Sequence, residues 1–416
     1  MSIKIKQQVK KYNVFEHFAV ISCILLTDTV TLTYGKEEEV YIFVIIGGLI
    51  LLKYLVIKRK EIFKINKKIF FYLILPIIFI YFSKIINFDS SLGYEYKIML
   101  LFLGYIIVEM IPFKRFIKIY INCMTFITFI SLCVYFCVIV GDSWWKILPL
   151  TNTGDTYSLI FTGIPNNMAR LSRNYGPFWE PGVFQVYLNF AFIFQLYKES
   201  KERLWKNIIL FLGLITTFST TGYICFAIVV LCKYLKNKLY KAQNIIYILC
   251  SLIIGLVLFK NDYIQEIVFS KFSSSNVSNS SFIIRLKDIK IYFIQWIKNI
   301  FFGVGITNSY NRAVEIYMNS IYSNYKGTTS TTFRELACFG IIPGISRLIL
   351  QWKFCELFTP KKIIGALYFI IIIFLNTEDL IYSFFINTIF YYSIKKTKKY
   401  EERRIEKSIK YSNTKL

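Results

Sequence analysis

Residues 170–197 read RLSRNYGPFWEPGVFQVYLNFAFIFQLY, a charged segment followed at once by an apolar run. The charged part holds two arginines, one carboxylate, two prolines and two glycines. Glycine and proline disfavour a regular helix and predict a turned backbone. The run that follows, from Val183 to Tyr197, is long and apolar. The junction therefore predicts a charged loop that stands at a membrane surface.

The composition of the whole chain predicts a membrane protein. Of its 416 residues, 55% are hydrophobic and 19% aromatic, and the mean hydropathy is +0.49, far more apolar than a soluble domain requires. A transmembrane helix needs about 20 mainly apolar residues, or somewhat fewer where its flanks snorkel. We expect a single all-α membrane domain over 1–416, a polytopic integral membrane helical bundle. The twelve candidate spans are 15–33, 40–57, 69–87, 96–113, 116–140, 182–197, 207–220, 221–235, 244–260, 332–352, 363–377 and 379–394.

The formal net charge of +25 is distributed as a membrane topology predicts. With a cytoplasmic N-terminus, the inner segments hold 33 of the 50 Lys and Arg residues, which is the positive-inside pattern. Both termini are then cytoplasmic, and two long loops, 141–181 and 261–331, lie outside with short acidic connections such as Glu378-Asp379. The basic tail 395–416 is expected to contact the anionic inner leaflet. Because the basicity is topological, we do not expect nucleic-acid binding.

Cysteine and histidine usage argues against several kinds of chemistry. Neither long loop contains any of the nine cysteines, and His17 is the single histidine. A disulfide framework, a thiolate or histidine metal site, and Ser-His-Asp or Cys-His catalysis are therefore not expected. We expect neither a metal nor a cofactor.

The first long loop contains the strongest candidate site residues. Arg170 and Arg173 face the same way if 168–174 forms a helical turn, and both can then reach one diphosphate. Alternatively, the two arginines bind lipid headgroups. A carboxylate such as Glu180 is costly at a membrane boundary, which favours a functional role. Asn174, between these residues, is a further candidate for substrate binding.

Two short apolar runs meet at Thr217–Gly222, which reads TFSTTG. Lysine-rich segments flank the two runs. The runs therefore predict a tight helical hairpin in which the first helix begins, and the second helix ends, on the cytoplasmic side. The hydroxyls of Ser219, Thr220 and Thr221 are expected to cap the second helix, whose N-terminal amides can face an anion. A purely structural hydroxyl-rich turn fits the pattern equally well.

The second long loop predicts an interfacial helix over 282–300 with Arg285 near its start. Gly303-Val304-Gly305 predicts a turn. Arg334 and Glu335 are expected to pair with each other or to anchor the loop. The predicted apolar face of the interfacial helix contains Phe282, Ile283, Leu286, Ile289, Phe293 and Ile297.

Asp28 gives the first helix a polar side that needs a partner.

Four motifs, taken in order, resemble the O-antigen and capsular polysaccharide polymerases, part of the wider O-antigen ligase/polymerase group. The resemblance covers roughly 170–345, and its first motif is the most specific. The motifs are Arg170-x-x-Arg173-x-x-Gly176-Pro177-Phe178-x-Glu180-Pro181-Gly182, Ser219-Thr220-Thr221-Gly222-Tyr223, Ser281 to Arg285 followed by Gly303-x-Gly305, and Glu335-x-x-x-x-Gly340-Ile341-Ile342-x-Gly344.

The resemblance implies a metal-independent, inverting glycosyltransferase in the bacterial inner membrane. Such an enzyme joins polyprenyl-diphosphate-linked oligosaccharide units on the outer face, with a chain-length regulator and a flippase as possible partners. The family's loop arginines correspond to Arg170, Arg173 and Arg285. The paired N–H donors of an arginine guanidinium stabilise a departing diphosphate. A carboxylate can act as the base that removes the proton from the attacking hydroxyl of the acceptor sugar. Glu180 is the candidate base and Glu335 the reserve.

The sequence leaves two alternative functions open. A ligase-type transferase of the same group is the first, but the ligase branch carries a loop histidine and this chain has none after His17. A lipid-linked oligosaccharide flippase or other transporter is the second. Transporters tend to show two similar halves and charged residues at mid-membrane depth, whereas this chain gathers its charge in two outer loops.

Overall fold

The computed structural model describes residues 14–30, 36–57, 67–141, 143–151, 156–159, 161–167, 171–197, 203–237, 281–318 and 329–395. Several expectations lie outside these ranges. They are Arg170, the candidate span 244–260 and the basic tail beyond residue 395.

Within these ranges the fold is mostly helical, which confirms the all-α prediction. The helices are α1 Val14–Leu25, α2 Lys36–Ile57, α3 Lys67–Ile86, α4 Gly93–Met110, α5 Phe113–Val140, α6 Pro181–Gln195, α7 Leu204–Thr216, α8 Thr220–Asn237, α9 Ser281–Lys298, α10 Ile306–Met318, α11 Thr331–Phe339, α12 Ile341–Cys355, α13 Ile364–Thr377 and α14 Phe384–Ile389. A π-helical turn, Phe70–Ile74, lies within α3, and short 3-10 turns cover Trp144–Ile147, Lys361–Ile363 and Phe390–Ser393.

Helix α6 forms the centre of the packed core. All of its residues are buried, as expected for a helix that is mainly apolar on every side. It packs against α5, α7 and α8. Tyr187, Phe190 and Phe194 each contact the ring of Phe385 in α14. The apolar run that follows the charged loop is therefore the element around which its neighbours assemble.

Helices α3 and α5 are long and apolar enough to cross a membrane. Only 28% and 39% of their most apolar windows are buried inside the protein, so they are not enclosed core helices. Large rings such as Phe71 and Phe82 on α3 and Phe129 and Phe136 on α5 are about half exposed. A water-soluble fold buries most such rings. The outward apolar faces of these two helices are suited to contact with lipid.

Three predicted spans are not continuous helices. In the span 15–33, α1 ends at Leu25 and residues 26–30 are not helical, so Asp28 lies beyond the first helix and not on it as expected. The span 332–352 is divided at Gly340, whose φ of +84° ends α11 and starts α12. A side chain there would also collide with the backbone of Phe301, so glycine is required at this position. In the span 379–394, the chain is irregular before Ser383, and the helix that follows has six residues. Ser383 caps this short helix by accepting a hydrogen bond from the N–H of Ile386 at 3.2 Å.

The first long loop contains a β-hairpin that the sequence analysis did not predict. Strand β1, Thr156–Leu159, pairs antiparallel with β2, Thr162–Pro165. The segment is rich in β-branched and aromatic residues, which favour strands. Among the described residues of this loop, a 3-10 turn covers Trp144–Ile147.

Helix α9 confirms the predicted helix in the second long loop but places its faces differently. Asp288, Tyr292 and Gln295 are buried, whereas Leu286 and Ile297 of the predicted apolar face are each 50% exposed. The buried face of α9 therefore combines Asp288 and Gln295 with Ile291 and Tyr292, while Leu286 and Ile297 of the predicted apolar face turn outward. Such an orientation is suited to a helix at a lipid interface.

Two buried aspartates hold the second loop in place: Asp89 attaches it to the bundle, and Asp288 joins its own segments. Asp89 accepts hydrogen bonds from the N–H and hydroxyl of Thr307 at 2.9 and 2.7 Å, and so satisfies a free N–H in the first turn of α10, a helix that was not predicted. Although burial acts to raise the pKa of Asp89, these bonds lower it overall.

Asp288 accepts hydrogen bonds from the hydroxyls of Tyr317 and Thr329 at 2.7 and 2.6 Å. Helices α9, α10 and α11 are thereby held together. Gly303 and Gly305 both have positive φ, which confirms the predicted turn after α9.

Candidate functional site

The charged loop before α6 is fastened to the bundle by Asn174. The side-chain oxygen of this buried residue accepts hydrogen bonds from the hydroxyl of Ser131 at 2.5 Å and from the N–H of Gly176 at 2.9 Å. Its amide nitrogen donates to the hydroxyl of Thr216 at 3.1 Å. These contacts give Asn174 a structural role in holding the loop. Its contact with a substrate stays a prediction.

Arg173 lies against the turn between α7 and α8. Its Nε donates to the carbonyl of Thr217 at 3.0 Å. Burial lowers the pKa of Arg173, while the nearby negative charges of Glu180 and Glu378 raise it. An arginine guanidinium is not deprotonated in proteins, so Arg173 carries a positive charge. Arg173 therefore supplies a fixed positive charge between the predicted loop and the predicted hairpin.

The hairpin of α7 and α8 confirms the sequence interpretation of this region as helix, turn and helix. The turn includes Phe218 with a positive φ of 47°. The hydroxyl of Ser219 accepts a hydrogen bond from the N–H of Gly222 at 3.4 Å, so Ser219 caps α8 as predicted. Thr220 and Thr221 form the first turn of α8 and are partly exposed. Binding of an anion by these residues stays a prediction.

Glu180 occupies the N-cap position of α6, with Pro181 as the first helical residue. Its carbonyl accepts the N–H groups of Val183 and Phe184 at 3.1 and 3.2 Å. The side chain makes no capping bond and is exposed. Glu180 therefore presents a carboxylate to the outside of the protein at the start of the central helix.

Arg285, from the second long loop, contacts the same region through Glu378. Its Nη2 donates to Oε1 of Glu378 at 3.2 Å, and its Nε donates to the carbonyl of Thr377 at 3.1 Å. Glu378 is almost fully buried, at 4% exposed. Burial raises the pKa of Glu378 to about 8. The charges of Arg285 and Arg173 act to lower it, and that of Glu180 acts to raise it.

Arg173, Glu180, Arg285 and Glu378 thus form one group of charges, which we term the arginine–carboxylate cluster. Three of these residues were predicted as site residues. Arg285 pairs directly with Glu378, and charge–charge interactions link Glu378 to Arg173 and Glu180 of the first long loop. Glu378 was expected only as part of an acidic connection. One sequence feature could have identified Glu378 as a site residue. It belongs to a pair of carboxylates, Glu378-Asp379, at the end of an apolar run, and the long loops of the chain carry arginines that can pair with it.

Gly182 allows Glu378 to approach α6. A Cβ atom built on Gly182 would overlap the carboxyl oxygens of Glu378. We expect Gly182→Ala to displace Glu378 and to destabilise the protein by about 1–3 kcal/mol, the usual cost of overpacking. The check is the thermal unfolding midpoint of the purified protein. Gly365→Ala is the matched control, because a Cβ there meets no atom within 4 Å. Equal midpoints for the two variants would contradict the contact.

Glu335 lies apart from the cluster in a different set of charges. It is 3% exposed and pairs with Nζ of Lys97 at 3.1 Å and with Nη1 of Arg347 at 2.5 Å. Its neighbour Arg334 pairs with Asp379. Adjacent residues on a helix point about 100° apart, so Arg334 and Glu335 have different partners and the expectation of mutual pairing is corrected. We term Lys97, Glu335 and Arg347 the buried triad.

Asp28 was expected to need a polar partner, and its partner is Tyr187. The hydroxyl of Tyr187, on α6, donates to the carboxylate of Asp28 and lies 3.2 Å from the hydroxyl of Ser383. Two residues later, the N–H of Val30 donates to the carbonyl of Pro177 at 2.9 Å. The segment after α1 is therefore attached to both the charged loop and the central helix.

The described elements form a mostly helical protein in which the two long loops and the end of α13 contribute a cluster of two arginines and two carboxylates near the start of the central helix. Within the described ranges, no group of three or more His, Cys, Asp or Glu residues is placed to hold a metal ion. No family model matches the chain, and no curated protein matches it.

Proposed function

We propose that this protein is a membrane-embedded, inverting glycosyltransferase that polymerises polyprenyl-diphosphate-linked oligosaccharide repeat units. The observation that carries the proposal is the arginine–carboxylate cluster. It combines Arg173 and Arg285, from separate loops, with the exposed carboxylate of Glu180. Arginine binds phosphate through paired N–H donors, and a carboxylate serves as a general base. In this proposal the growing glycan moves from its carrier onto an incoming unit, and polyprenyl diphosphate leaves.

The setting of the cluster supports a lipid-linked substrate. Helices α3 and α5 present apolar outer faces, and α9, which carries Arg285, turns Leu286 and Ile297 outward. A substrate anchored by a long hydrocarbon chain meets its enzyme at such a surface. We propose a bundle of about twelve spans in the bacterial inner membrane, with both termini cytoplasmic and the cluster on the outer side.

The exposures of the two candidate bases favour Glu180 over Glu335. Glu180 is exposed and lies near Arg173, so an acceptor hydroxyl can reach it. Glu335 is enclosed, and both of its carboxyl oxygens contact cations of the buried triad. Glu180 is therefore the proposed base, and Glu335 has a structural role in the bundle.

Incubation of the purified protein with lipid-linked repeat units tests the reaction type. A ladder of products on a gel supports the polymerase. Transfer of a unit to a different lipid, without a ladder, indicates the ligase-type alternative. Movement of the substrate across a vesicle membrane without bond formation indicates a flippase.

Reporter fusions test the proposed topology. Fusions after Lys206 and Lys241 are expected to report the cytoplasm, because lysine-rich segments flank the hairpin of α7 and α8 on both sides. Fusions near Asn167 and Ser275 are expected to report the outer side. If Lys206 and Lys241 fall on opposite sides, the hairpin does not return to the side from which it started and the topology is wrong.

The raised pKa of Glu378 predicts how donor binding depends on pH. Below about pH 8 Glu378 is neutral, and Arg173, Arg285 and Glu180 then leave the cluster with a net positive charge that favours a diphosphate. Above that pH the ionised Glu378 competes for Arg285. Affinity for a short-chain polyprenyl diphosphate, measured by calorimetry, should fall up to about tenfold from pH 7 to 9. Glu378→Gln should remove this dependence. An unchanged pH profile in that variant would assign the titration to another group.

A further inference from the structure

Helix α9 and the turn after it direct large apolar side chains away from the protein. The opposite side of the helix is packed, with Ile291 and Tyr292 in a buried cluster. The outward side chains are between 40% and 67% exposed. Neighbouring apolar side chains that stay exposed mark a surface for another protein or for a membrane. We term this set the outward face of α9; it contains Leu286, Phe293, Ile294, Ile297, Ile300 and Phe301.

The outward face of α9 adjoins the outward apolar face of α3. Phe302, in the turn after α9, stacks on Phe79 of α3 with ring centroids 5.5 Å apart and meets Phe82 at 6.4 Å. Phe82 is itself 46% exposed, and Phe88, directly after α3, is 95% exposed. Helix α3 is long and apolar enough to cross a membrane. Since the two faces meet, a bilayer is the occupant that fits both.

Lysine side chains give the outward face of α9 a positive charge. Lys290, Ile294 and Lys298 follow one another at intervals of four residues and therefore lie in one row on the helix surface. Both lysines are exposed, and neither forms an ion pair with another described residue. The one carboxylate of α9, Asp288, is buried. On a helix at a membrane surface, a lysine keeps its apolar stem against the lipid while its ammonium reaches the headgroups.

We propose that the outward face of α9 rests on the bilayer surface beside the end of α3 and prefers anionic phospholipids, whose phosphates the ammonium groups of Lys290 and Lys298 contact. On the topology proposed above, α9 lies on the outer side of the membrane, where Lys and Arg are normally scarce. Basic residues within an apolar surface there favour an anionic partner. The contact holds Arg285, near the start of the same helix, at a fixed depth in the membrane interface. The inference needs the membrane setting but not the glycosyltransferase activity.

Brominated lipids test the contact through Trp296, whose ring centroid lies 5.8 Å from that of Phe293. The purified protein is placed in vesicles of phosphatidylcholine and phosphatidylglycerol in equal amounts, with bromine on the acyl chains of one lipid or of the other. Bromine quenches the fluorescence of a nearby tryptophan, and subtraction of the Trp296→Phe signal isolates Trp296. One lysine near an anionic surface favours it by about fivefold, so brominated phosphatidylglycerol should quench about five times as strongly as brominated phosphatidylcholine.

Two outcomes of the quenching experiment would overturn the proposal. Equal quenching by the two brominated lipids would show that the surface has no preference for anionic headgroups. Absence of quenching by either lipid would show that the outward face of α9 does not contact the bilayer. High salt should weaken the preference in the wild-type protein, because it screens charges that are exposed to solvent.

Substitution of the two lysines tests their role without a change to the buried side of α9. Lys290→Gln combined with Lys298→Gln should make the two lipids quench Trp296 about equally, because both charges are removed and the apolar side chains are kept. Arg312→Gln is the matched control, since Arg312 is exposed on the neighbouring helix α10 of the same loop. The control should keep the wild-type ratio. A preference that persists in the double variant would overturn the assignment to Lys290 and Lys298.

Discussion

Replacement of Arg173 with alanine should lower the rate of polymerisation by about a hundredfold to a thousandfold, the usual effect of removing one donor that stabilises a developing negative charge. The guanidinium of Arg173 is fixed by its bond to the carbonyl of Thr217 and lies near Glu180 and Glu378. Its remaining N–H groups can therefore bind the departing diphosphate without a large rearrangement. The measurement is the initial rate of ladder formation by purified protein with radiolabelled lipid-linked repeat units.

The controls for this prediction separate charge from hydrogen-bond geometry. Arg173→Lys keeps the charge but loses the paired donors, so it should retain part of the activity. Arg203→Ala should retain full activity, because Arg203 is exposed at the start of α7. If Arg173→Ala is as active as Arg203→Ala, Arg173 does not hold the leaving group.

Glu180→Gln should lower turnover by on the order of a hundredfold or more, the scale expected for loss of a general base. Glutamine keeps the shape of the side chain and removes its basicity. The exposed carboxylate at the N-cap of α6 makes no capping bond, so the substitution should leave the fold intact. Donor binding should also remain nearly unchanged. Turnover and binding are measured on the same purified sample.

If Glu180 has only a structural role, the opposite result is expected. If its role is to hold Arg173 in place, Glu180→Gln should weaken donor binding and preserve turnover. Near-normal turnover would remove Glu180 from the mechanism. The search for the base would then move to Glu378, which lies in the same cluster, and to Glu335.

The sequence was informative where a local pattern determines the structure. Proline and glycine around Glu180 predicted a turned segment before the central helix, and the hydroxyl-rich turn predicted the hairpin capped by Ser219. The amphipathic pattern predicted α9 and placed Arg285 near its start. Local sequence also allowed Asp28 to be identified as a residue in need of a partner, which is Tyr187.

The sequence was less informative where distant segments meet. Glu378 belongs to the cluster because it pairs with Arg285, 93 positions away, and because the lack of a side chain at Gly182 leaves room for its carboxyl group. Lys97 lies within an apolar run, and its pairing with Glu335 depends on how α4 and α11 pack. The outward apolar face of α9 was predicted as a face, but its direction depends on the neighbours of Asp288. Such contacts follow from tertiary packing, which periodicity and composition do not specify.

Product stoichiometry provides the most direct test of the central claim, that the protein forms glycosidic bonds with a lipid diphosphate as the leaving group. The purified protein in liposomes is supplied with lipid-linked repeat units, and the products are quantified by mass spectrometry. The proposal predicts glycans of two or more repeats on one carrier and one free polyprenyl diphosphate for every bond formed. Carriers that keep a single repeat, with no polyprenyl diphosphate released, would contradict it.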